Sequence, residues 1–419
     1  MSKMKVPFFR FTPDGHEQEY VRQVIASGWL TTAGKTLEFE KKFAQQVGAK
    51  YACAVNSCTA ALHLAAEAVG IGPGDKVLVP TMTFTATAEV IRYLGADPVF
   101  ADVEYGSCLL PPAILEQALA RHPDIKAVMV VHFGGQAAQM TDSQAPALAH
   151  RMGGGQGSLP SSILHPPSSS PQLSGVLSVC RSRGIKVIED AAHAFPTRHD
   201  GRMVGSFGDI TCFSFYANKT ITTGEGGMLT TEDEVIYKRV KTMRLHGINR
   251  DIWDRFTAAK SNWEYDVVAP GFKYNMPDIN AAIGLAQLER ADFFRQERQR
   301  CLEYYFKHLA GNPFIDLPVI HGSLSDHSCH LFWIVLKPSA PLSRNGLIEK
   351  LNEAGVGTSV HYKPLHRMTY YRERYRLKPE DYPQAERHWQ GVVTLPVYPS
   401  MSEAELAYVV TAVKQALHG

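Results

Sequence analysis

Over the first 250 positions, apolar residues gather in short β-branched runs separated by stretches of helical period. The runs at Tyr51–Val55, Lys76–Pro80, 126–133, 185–190, 209–215 and 227–230 predict strands. Between them, residues 59–69 and 85–94 carry the spacing of helices. Strands alternating with helices predict crossover units and a mostly parallel sheet. From Asp278 the pattern changes. Residues 278–309 predict a long amphipathic helix or a helix pair, 329–336 a strand, 343–354 a helix and 356–362 a strand. A final helix over 402–418 starts at a Ser-x-x-Glu capping signal. The whole reads as an α/β protein. Residues 1–250 form a large domain built on the sheet, and 251–419 supply an interface segment and a smaller α+β domain.

Composition narrows the class. The chain has 419 residues, 45% apolar and 20% charged, enough for two or three domains with ordinary globular cores. Lys plus Arg number 43 against 41 acids, so no global charge draws the chain to nucleic acid or membrane. No run of 18 apolar residues predicts a membrane span, and the N-terminus lacks a signal-peptide core. Seven dispersed cysteines without a C-x-x-C pair point away from a disulfide framework or structural zinc and toward a cytoplasmic protein. None of the 17 histidines forms H-E-x-x-H, so no metal site is expected.

One stretch breaks the pattern. In residues 152–175, Gly, Ser and Pro fill 16 of 24 positions and no Asp, Glu, Lys or Arg occurs. Such a segment buries too little apolar surface to offset its conformational entropy, which predicts a disordered surface insertion rather than a functional lid.

The chemistry concentrates at predicted strand ends, where open α/β sheets bind ligands. The strand ending in Glu189-Asp190 offers an acid to a ring nitrogen or a cation, or simply a helix cap. Lys219 lies between a strand and the turn Thr223-Gly-Glu-Gly-Gly227, as a surface charge or a catalytic amine. Asn56-Ser57-Cys58-Thr59 precedes an Ala-rich helix, where free amides and hydroxyls make either a plain cap or a phosphate cup. Phe84 follows another strand end, as core or as a flat cover for a flat ring. Phosphate cup, aromatic, acid and lysine together are the parts that hold pyridoxal phosphate.

With these motifs the sequence resembles the DegT/DnrJ/EryC1/StrS group of pyridoxal-phosphate-dependent nucleotide-sugar aminotransferases. The likeness spans nearly the whole chain outside the insertion. It is carried by Ser27-Gly-Trp-Leu-Thr-Thr32, Ser57-Cys-Thr59, Thr83-Phe84, Glu189-Asp-Ala-Ala-His193, Ser214-Phe-Tyr-Ala-Asn-Lys219, Gly224-Glu-Gly-Gly227 and Leu245-His-Gly247. Gly271-Phe-Lys-Tyr-Asn275, Asp278-Ile-Asn-Ala-Ala282 and His361-Tyr-Lys-Pro-Leu-His366 complete it. Within the group it is similar to enzymes acting on 4-keto sugars, such as the UDP-4-amino-4-deoxy-arabinose aminotransferase.

The resemblance implies the fold type I architecture of aspartate aminotransferase and a role for each motif. Lys219 would form the internal Schiff base and then act as general acid and base, and Asp190 would pair with the pyridine nitrogen. His193 would lie against the cofactor, Phe84 would stack on its ring, and Ser57, Cys58, Thr59 and Ser214 would hold the phosphate. Lys273 stands where many relatives carry an Asn that reaches a partner's phosphate, which implies a homodimer. Cys58 replaces the Gly or other small residue common there, which leaves its amide but not its side chain as a phosphate donor.

For substrate, the resemblance points to Trp29, Thr31, Thr32, Glu225, His246, His361 and Tyr362, with Arg244, Lys363 and Arg367 as candidates for a diphosphate or a donor carboxylate. The implied reaction moves an amino group, from glutamate, to a 4-keto nucleotide sugar for cell-surface, lipopolysaccharide or secondary-metabolite glycans. A sugar dehydratase of the same family would carry His in place of Lys219, and a non-catalytic homologue would not need Asp190, Ser214 and Lys219 together.

Overall fold

A computed structural model describes residues 4–13, 15–144, 172–249 and 264–418. Its centre is a seven-stranded sheet: β1 (Tyr51–Val55), β2 (Lys76–Pro80), β3 (Asp97–Ala101), β4 (Ile125–Val131), β5 (Lys186–Asp190), β6 (Ile210–Ser214) and β7 (Gly227–Thr231). The spatial order is β1-β7-β6-β5-β4-β2-β3. β3, β2, β4, β5 and β6 run parallel, while β7 is antiparallel to both its neighbours. The sheet is mostly parallel, as expected. Helices cover both faces, which is why β4 reads as the nearly unbroken apolar run IKAVMVV.

Successive side chains of a strand enter opposite cores. Val187 joins one cluster with Phe39, Phe43 and Phe213, whereas Ile188 joins another with Leu62, Leu64 and Cys212. In the first, Phe43 meets Phe195, Phe213 and Phe215 at ring separations of 4.7, 5.0 and 5.4 Å, packing worth about 0.5–1.5 kcal/mol per pair beyond area burial. A third core surrounds a smaller antiparallel sheet of β8 (Ile315–Asp316), β9 (Phe332–Leu336) and β10 (Val392–Leu395). Chain position does not follow core membership. Val6 packs in the third, and Ala281 and Leu285 of the helix Asp278–Glu289 pack in the first.

The segment 278–309 takes the second of its two expected forms, a pair of helices, Asp278–Glu289 and Ala291–Leu309, broken at Arg290, while other elements depart from the periodicity. Residues 356–362 form no strand: Val356 and Ser359 make only isolated bridges to Val6 and Thr394. β3 was not expected, because Asp and Pro open it and hide its period. The final helix, Glu403–His418, begins with the anticipated box: Ser402 Oγ accepts from Glu405 N–H at 3.2 Å and Ser402 N–H donates to Glu405 Oε2 at 2.8 Å.

The expected insertion at 152–175 falls, for 152–171, outside the described residues. Its last residues belong to the fold, so the expected boundary is too long. Gln172–Leu173 pair antiparallel with Ser143–Gln144, and Gly175 precedes the helix Val176–Arg181. Among the described residues, no helix is long and apolar enough to cross a membrane.

Candidate active site

The carboxyl ends of five strands converge on one locus. β5 ends at Asp190, flanked in register by Val131 of β4 and Cys212 of β6. Asp190 is buried. Its Oδ2 accepts from Thr87 Oγ1 at 2.7 Å and its Oδ1 from Ala192 N–H at 3.1 Å. Burial pushes its pKa up, against those two donors and the charge of Lys219. Glu189, one position back, faces the other way. It is fully buried, accepts from Gly208 N–H (2.7 Å) and Thr211 Oγ1 (2.8 Å), and meets His132 Nε2 at 2.8 Å. His132 Nδ1 in turn accepts from Ala138 N–H, so Nε2 carries the hydrogen given to Glu189. Of the two adjacent acids, one builds the floor and the other faces the site.

Lys219 sits in the loop joining β6 to β7. Phe215 closes that loop: its amide donates to the Gly226 carbonyl and its carbonyl accepts from Thr223 N–H and Thr222 Oγ1. Lys219 N–H donates to the Tyr216 carbonyl at 3.0 Å. Its amine makes no hydrogen bond or ion pair among the described residues. It lies within electrostatic reach of Asp190 and Cys58, and burial together with the Arg298 charge pulls its pKa down to about 8. A desolvated lysine with no ion pair or hydrogen bond among the described residues is poor structure and good chemistry.

The third part is the start of the helix Cys58–Ala68. Ser57 caps it, its hydroxyl accepting from Ala60 N–H at 3.1 Å. The amides of Cys58 and Thr59 have no partner among the described residues, which leaves two donors and the helix dipole for an anion. Gly227 at the start of β7 makes this approach feasible: a Cβ there would stand 2.5 Å from the Ser57 carbonyl oxygen and 2.7 Å from the Cys58 nitrogen. Ser214, opposite Gly227 in register, uses its hydroxyl to accept from Tyr216 N–H at 3.3 Å.

His193 and Tyr362 close the far side. Gly134 N–H donates to His193 Nδ1 (3.3 Å), which leaves the ring hydrogen on Nε2, 3.0 Å from the Tyr362 oxygen. Burial and the Lys219 charge hold His193 well below the usual histidine pKa, so it is neutral. Phe84 is 56% exposed, with its ring 5.8 Å from that of Tyr362, an uncovered aromatic face at the rim. His361 is buried, its Nδ1 2.9 Å from Thr394 Oγ1 and its ring stacked on Phe8 at 5.8 Å.

Other expected residues lie apart from this group. Thr32 is buried with its hydroxyl held between the Met276 carbonyl (2.6 Å) and Asn275 Nδ2 (2.7 Å). Thr31 and Trp29 are half-buried, and Glu225, His246 and Lys273 are exposed. The Lys273 carbonyl accepts from Asn56 Nδ2 at 3.4 Å beside the cup, while its side chain faces outward. Two cation candidates are overturned. Arg244 is buried against Glu40 and the Ala54 carbonyl, and Arg367 is bound to Glu386 through Nε and Nη2, so neither is available for a diphosphate. Lys363 alone of the three is exposed without such a pair among the described residues.

The sequence reading missed Thr87, although it lies three residues after Phe84 on a predicted helix. It also missed His330, whose buried ring lies 4.6 Å from His193. A polar groove of about 710 Å³, lined by Lys42, Arg198, Glu289, Asp292 and Arg295 among others, includes none of the residues above.

These parts fit pyridoxal phosphate: an unpartnered lysine amine, a buried carboxylate beside it, two unpartnered amides at a helix start, and an exposed aromatic face. The model of the DegT/DnrJ/EryC1/StrS aminotransferase family matches residues 12–153 and 168–414. The chain is 39% identical over 405 residues to the spore coat polysaccharide biosynthesis protein SpsC of Bacillus subtilis, covering 96% of this chain and 95% of SpsC. Among solved structures it is similar to Spr1654 of Streptococcus pneumoniae, described as a candidate sugar aminotransferase and solved in its PMP form. That match has 29% identity and TM-score 0.82 over 99% of this chain and 98% of the other. It is also similar to DesV of S. venezuelae, at 26% identity and TM-score 0.78 over 96% and 95% of the two chains.

Proposed function

This chain belongs to the DegT/DnrJ/EryC1/StrS aminotransferase family, whose members depend on pyridoxal phosphate, and from that premise we propose that it transfers an amino group from glutamate to the keto carbon of a 4-keto nucleotide sugar. The observation that carries the aminotransferase reading is Lys219, an amine pulled down to about 8 and left unpaired beside Asp190. The dehydratase alternative expects His at that position. The polysaccharide role in the name of SpsC supports a glycan as the destination of the product.

Bound pyridoxal phosphate supplies the ring that delocalises the electron pair left when the bond from the donor carbon to hydrogen breaks. The chain's own residues do the rest. Lys219, whose depressed pKa of about 8 makes the neutral amine far easier to reach than an ordinary lysine's, would hold the cofactor covalently and then take and return a proton at Nζ. Asp190, whose charged form Thr87 and Ala192 favour against the opposing effect of burial, would hold a proton at the ring nitrogen. Cys58 and Thr59 amides, with Ser57 and Ser214 hydroxyls, hold the phosphate. Phe84 and His193 flank the ring. His361 and Tyr362, with Trp29, Thr31, Glu225 and His246 at the mouth, would meet the substrates, and the buried Thr32 would brace that mouth through Met276 and Asn275. Lys273 extends from a homodimer face toward the partner's phosphate, and the working division of the chain falls near residue 250.

Borohydride reduction followed by peptide mapping tests the lysine: the cofactor mass belongs on the peptide containing Lys219. A panel of 4-keto nucleotide sugars with L-glutamate tests the reaction. Conversion of the bound cofactor by glutamate with no sugar aminated overturns the acceptor, and no conversion overturns the donor. Sedimentation at micromolar concentration tests the dimer.

A further inference from the structure

Thr81, His366 and Glu386 form a buried chain of hydrogen bonds where the end of β2 meets the segment carrying Tyr362. Thr81 and His366 are fully buried and Glu386 nearly so. His366 Nε2 lies 2.6 Å from Glu386 Oε1, and a carboxylate only accepts, so the ring hydrogen sits on Nε2. Nδ1 is then an acceptor, and Thr81 Oγ1, at 2.8 Å, is its donor. The same hydroxyl accepts from the backbone N–H of His366 at 3.3 Å, and the Thr81 carbonyl accepts from Leu365 N–H at 2.9 Å. Arg367 holds both Glu386 oxygens, and Tyr382 stacks on the His366 ring at 4.6 Å and 10°. Every polar atom of the three side chains has a partner, which fixes one geometry rather than several.

The two segments joined here carry two walls of the site. Phe84 follows Thr81 by three residues, and Tyr362 precedes His366 by four. Because His193 Nε2–H donates to the Tyr362 oxygen, the phenol keeps its own hydrogen for another acceptor. We propose that Thr81, His366 and Glu386 are positioning residues for Tyr362: the clasp sets the phenol against His193 so that its remaining hydrogen is presented to the amino donor. This rests on the reading of Tyr362 as a substrate-binding residue.

The test uses the holoenzyme and a double-mutant cycle of Thr81→Val and Tyr362→Phe. The measured quantities are KM and kcat for conversion of the bound cofactor by L-glutamate, and the visible circular dichroism of the cofactor. Thr81→Val removes the donor to His366 Nδ1 and the acceptor for the His366 backbone N–H. It should raise KM by about tenfold with little change in kcat, and alter the visible dichroism. Thr81→Ser, which keeps the hydroxyl, should restore both. Tyr362→Phe should raise KM similarly, and adding Thr81→Val to it should cost nothing more. Effects that multiply in the double variant, or parental KM and dichroism in Thr81→Val, overturn the clasp. Parental KM in Tyr362→Phe overturns the reading of Tyr362 itself, and the clasp with it. If Thr81→Val does not fold, Glu386→Gln, which keeps an acceptor for His366 but loosens Arg367, enters the same cycle with the same criteria.

Discussion

Thr87 Oγ1 lies 2.7 Å from Asp190 Oδ2 and is the one side-chain donor to that carboxylate among the described residues. Burial works against the charged form of Asp190, and the hydroxyl works for it. A second hydroxyl, Thr83 Oγ1, stands 2.8 Å from Thr87 Oγ1, so the carboxylate rests on a short polar ladder along the helix start.

Replacing Thr87 by Val should therefore raise the pKa of Asp190 further. The anion would be lost at a higher pH on acidification, so the acid limb of the pH–rate profile should move upward. Turnover at neutral pH should fall by roughly tenfold. Asp190→Asn should fall by several orders of magnitude with cofactor still bound, because the amide cannot hold a proton at the ring nitrogen. Single-turnover proton abstraction at the parental rate in Asp190→Asn would reduce that residue to a helix cap.

Lys219 gives a prediction in cofactor-free protein. Its folded pKa, about 8, is below the ordinary 10.5, so the unfolded chain binds more protons between those values and stability rises with pH across that window. Below about pH 8 the buried cation costs stability in full. Lys219→Met should raise the melting temperature of the cofactor-free protein at pH 7, and its advantage should shrink as pH climbs toward 10. Acylation of Lys219, followed by mass spectrometry, should rise through pH 8 rather than 10. The Lys219→Ala enzyme should show no turnover.

The sequence displayed the site's chemistry better than its geometry. Lys219, Asp190 and the Ser57–Thr59 start were legible because strand ends and glycine-rich turns leave local signatures. Arg244 and Arg367 were misjudged because their partners, Glu40 and Glu386, are 204 and 19 residues away, and no local pattern announces a distant carboxylate. Glu189 and Asp190 look alike in sequence. Only strand alternation, which turns adjacent side chains to opposite faces, separates the floor from the site. The strand expected over 356–362 failed for a related reason: apolar alternation fits a strand, but the segment finds only single bridges to pair with.

Gly227→Ala should dissociate the phosphate site from the lysine. The added methyl would meet the Ser57 carbonyl at 2.5 Å and the Cys58 nitrogen at 2.7 Å, both backbone atoms, so the cup must move. The dissociation constant for pyridoxal phosphate should rise by tenfold or more, on the order of 1.4 kcal/mol. Slow borohydride trapping on Lys219 should persist at saturating cofactor. An unchanged dissociation constant would place the phosphate elsewhere.

The last prediction separates the Gly/Ser/Pro-rich segment from the residues that follow it. The family match omits residues 154–167, so the family's chemistry needs nothing from them. Loop-closure entropy varies with the logarithm of length, and replacing 152–170 by a short Gly/Ser linker should change stability by about 1 kcal/mol or less. The glutamate half-reaction should be unaffected. Extending the deletion through 175 is a different experiment. Gly175 N–H donates to Asp142 Oδ1 at 2.7 Å, its carbonyl accepts from Ser178 Oγ at 3.0 Å, and a Cβ at this position would lie 2.3 Å from the Thr141 carbonyl carbon. The helix it begins puts Val176, Val179 and Cys180 into the first core. The longer deletion should cost roughly 2 kcal/mol or more and lower the melting temperature by several degrees. Equal melting temperatures for the two deletions would show that the Gly175 anchor contributes nothing. Loss of the half-reaction in the shorter deletion, or its conversion from dimer to monomer, would instead assign the segment to the site or to the interface.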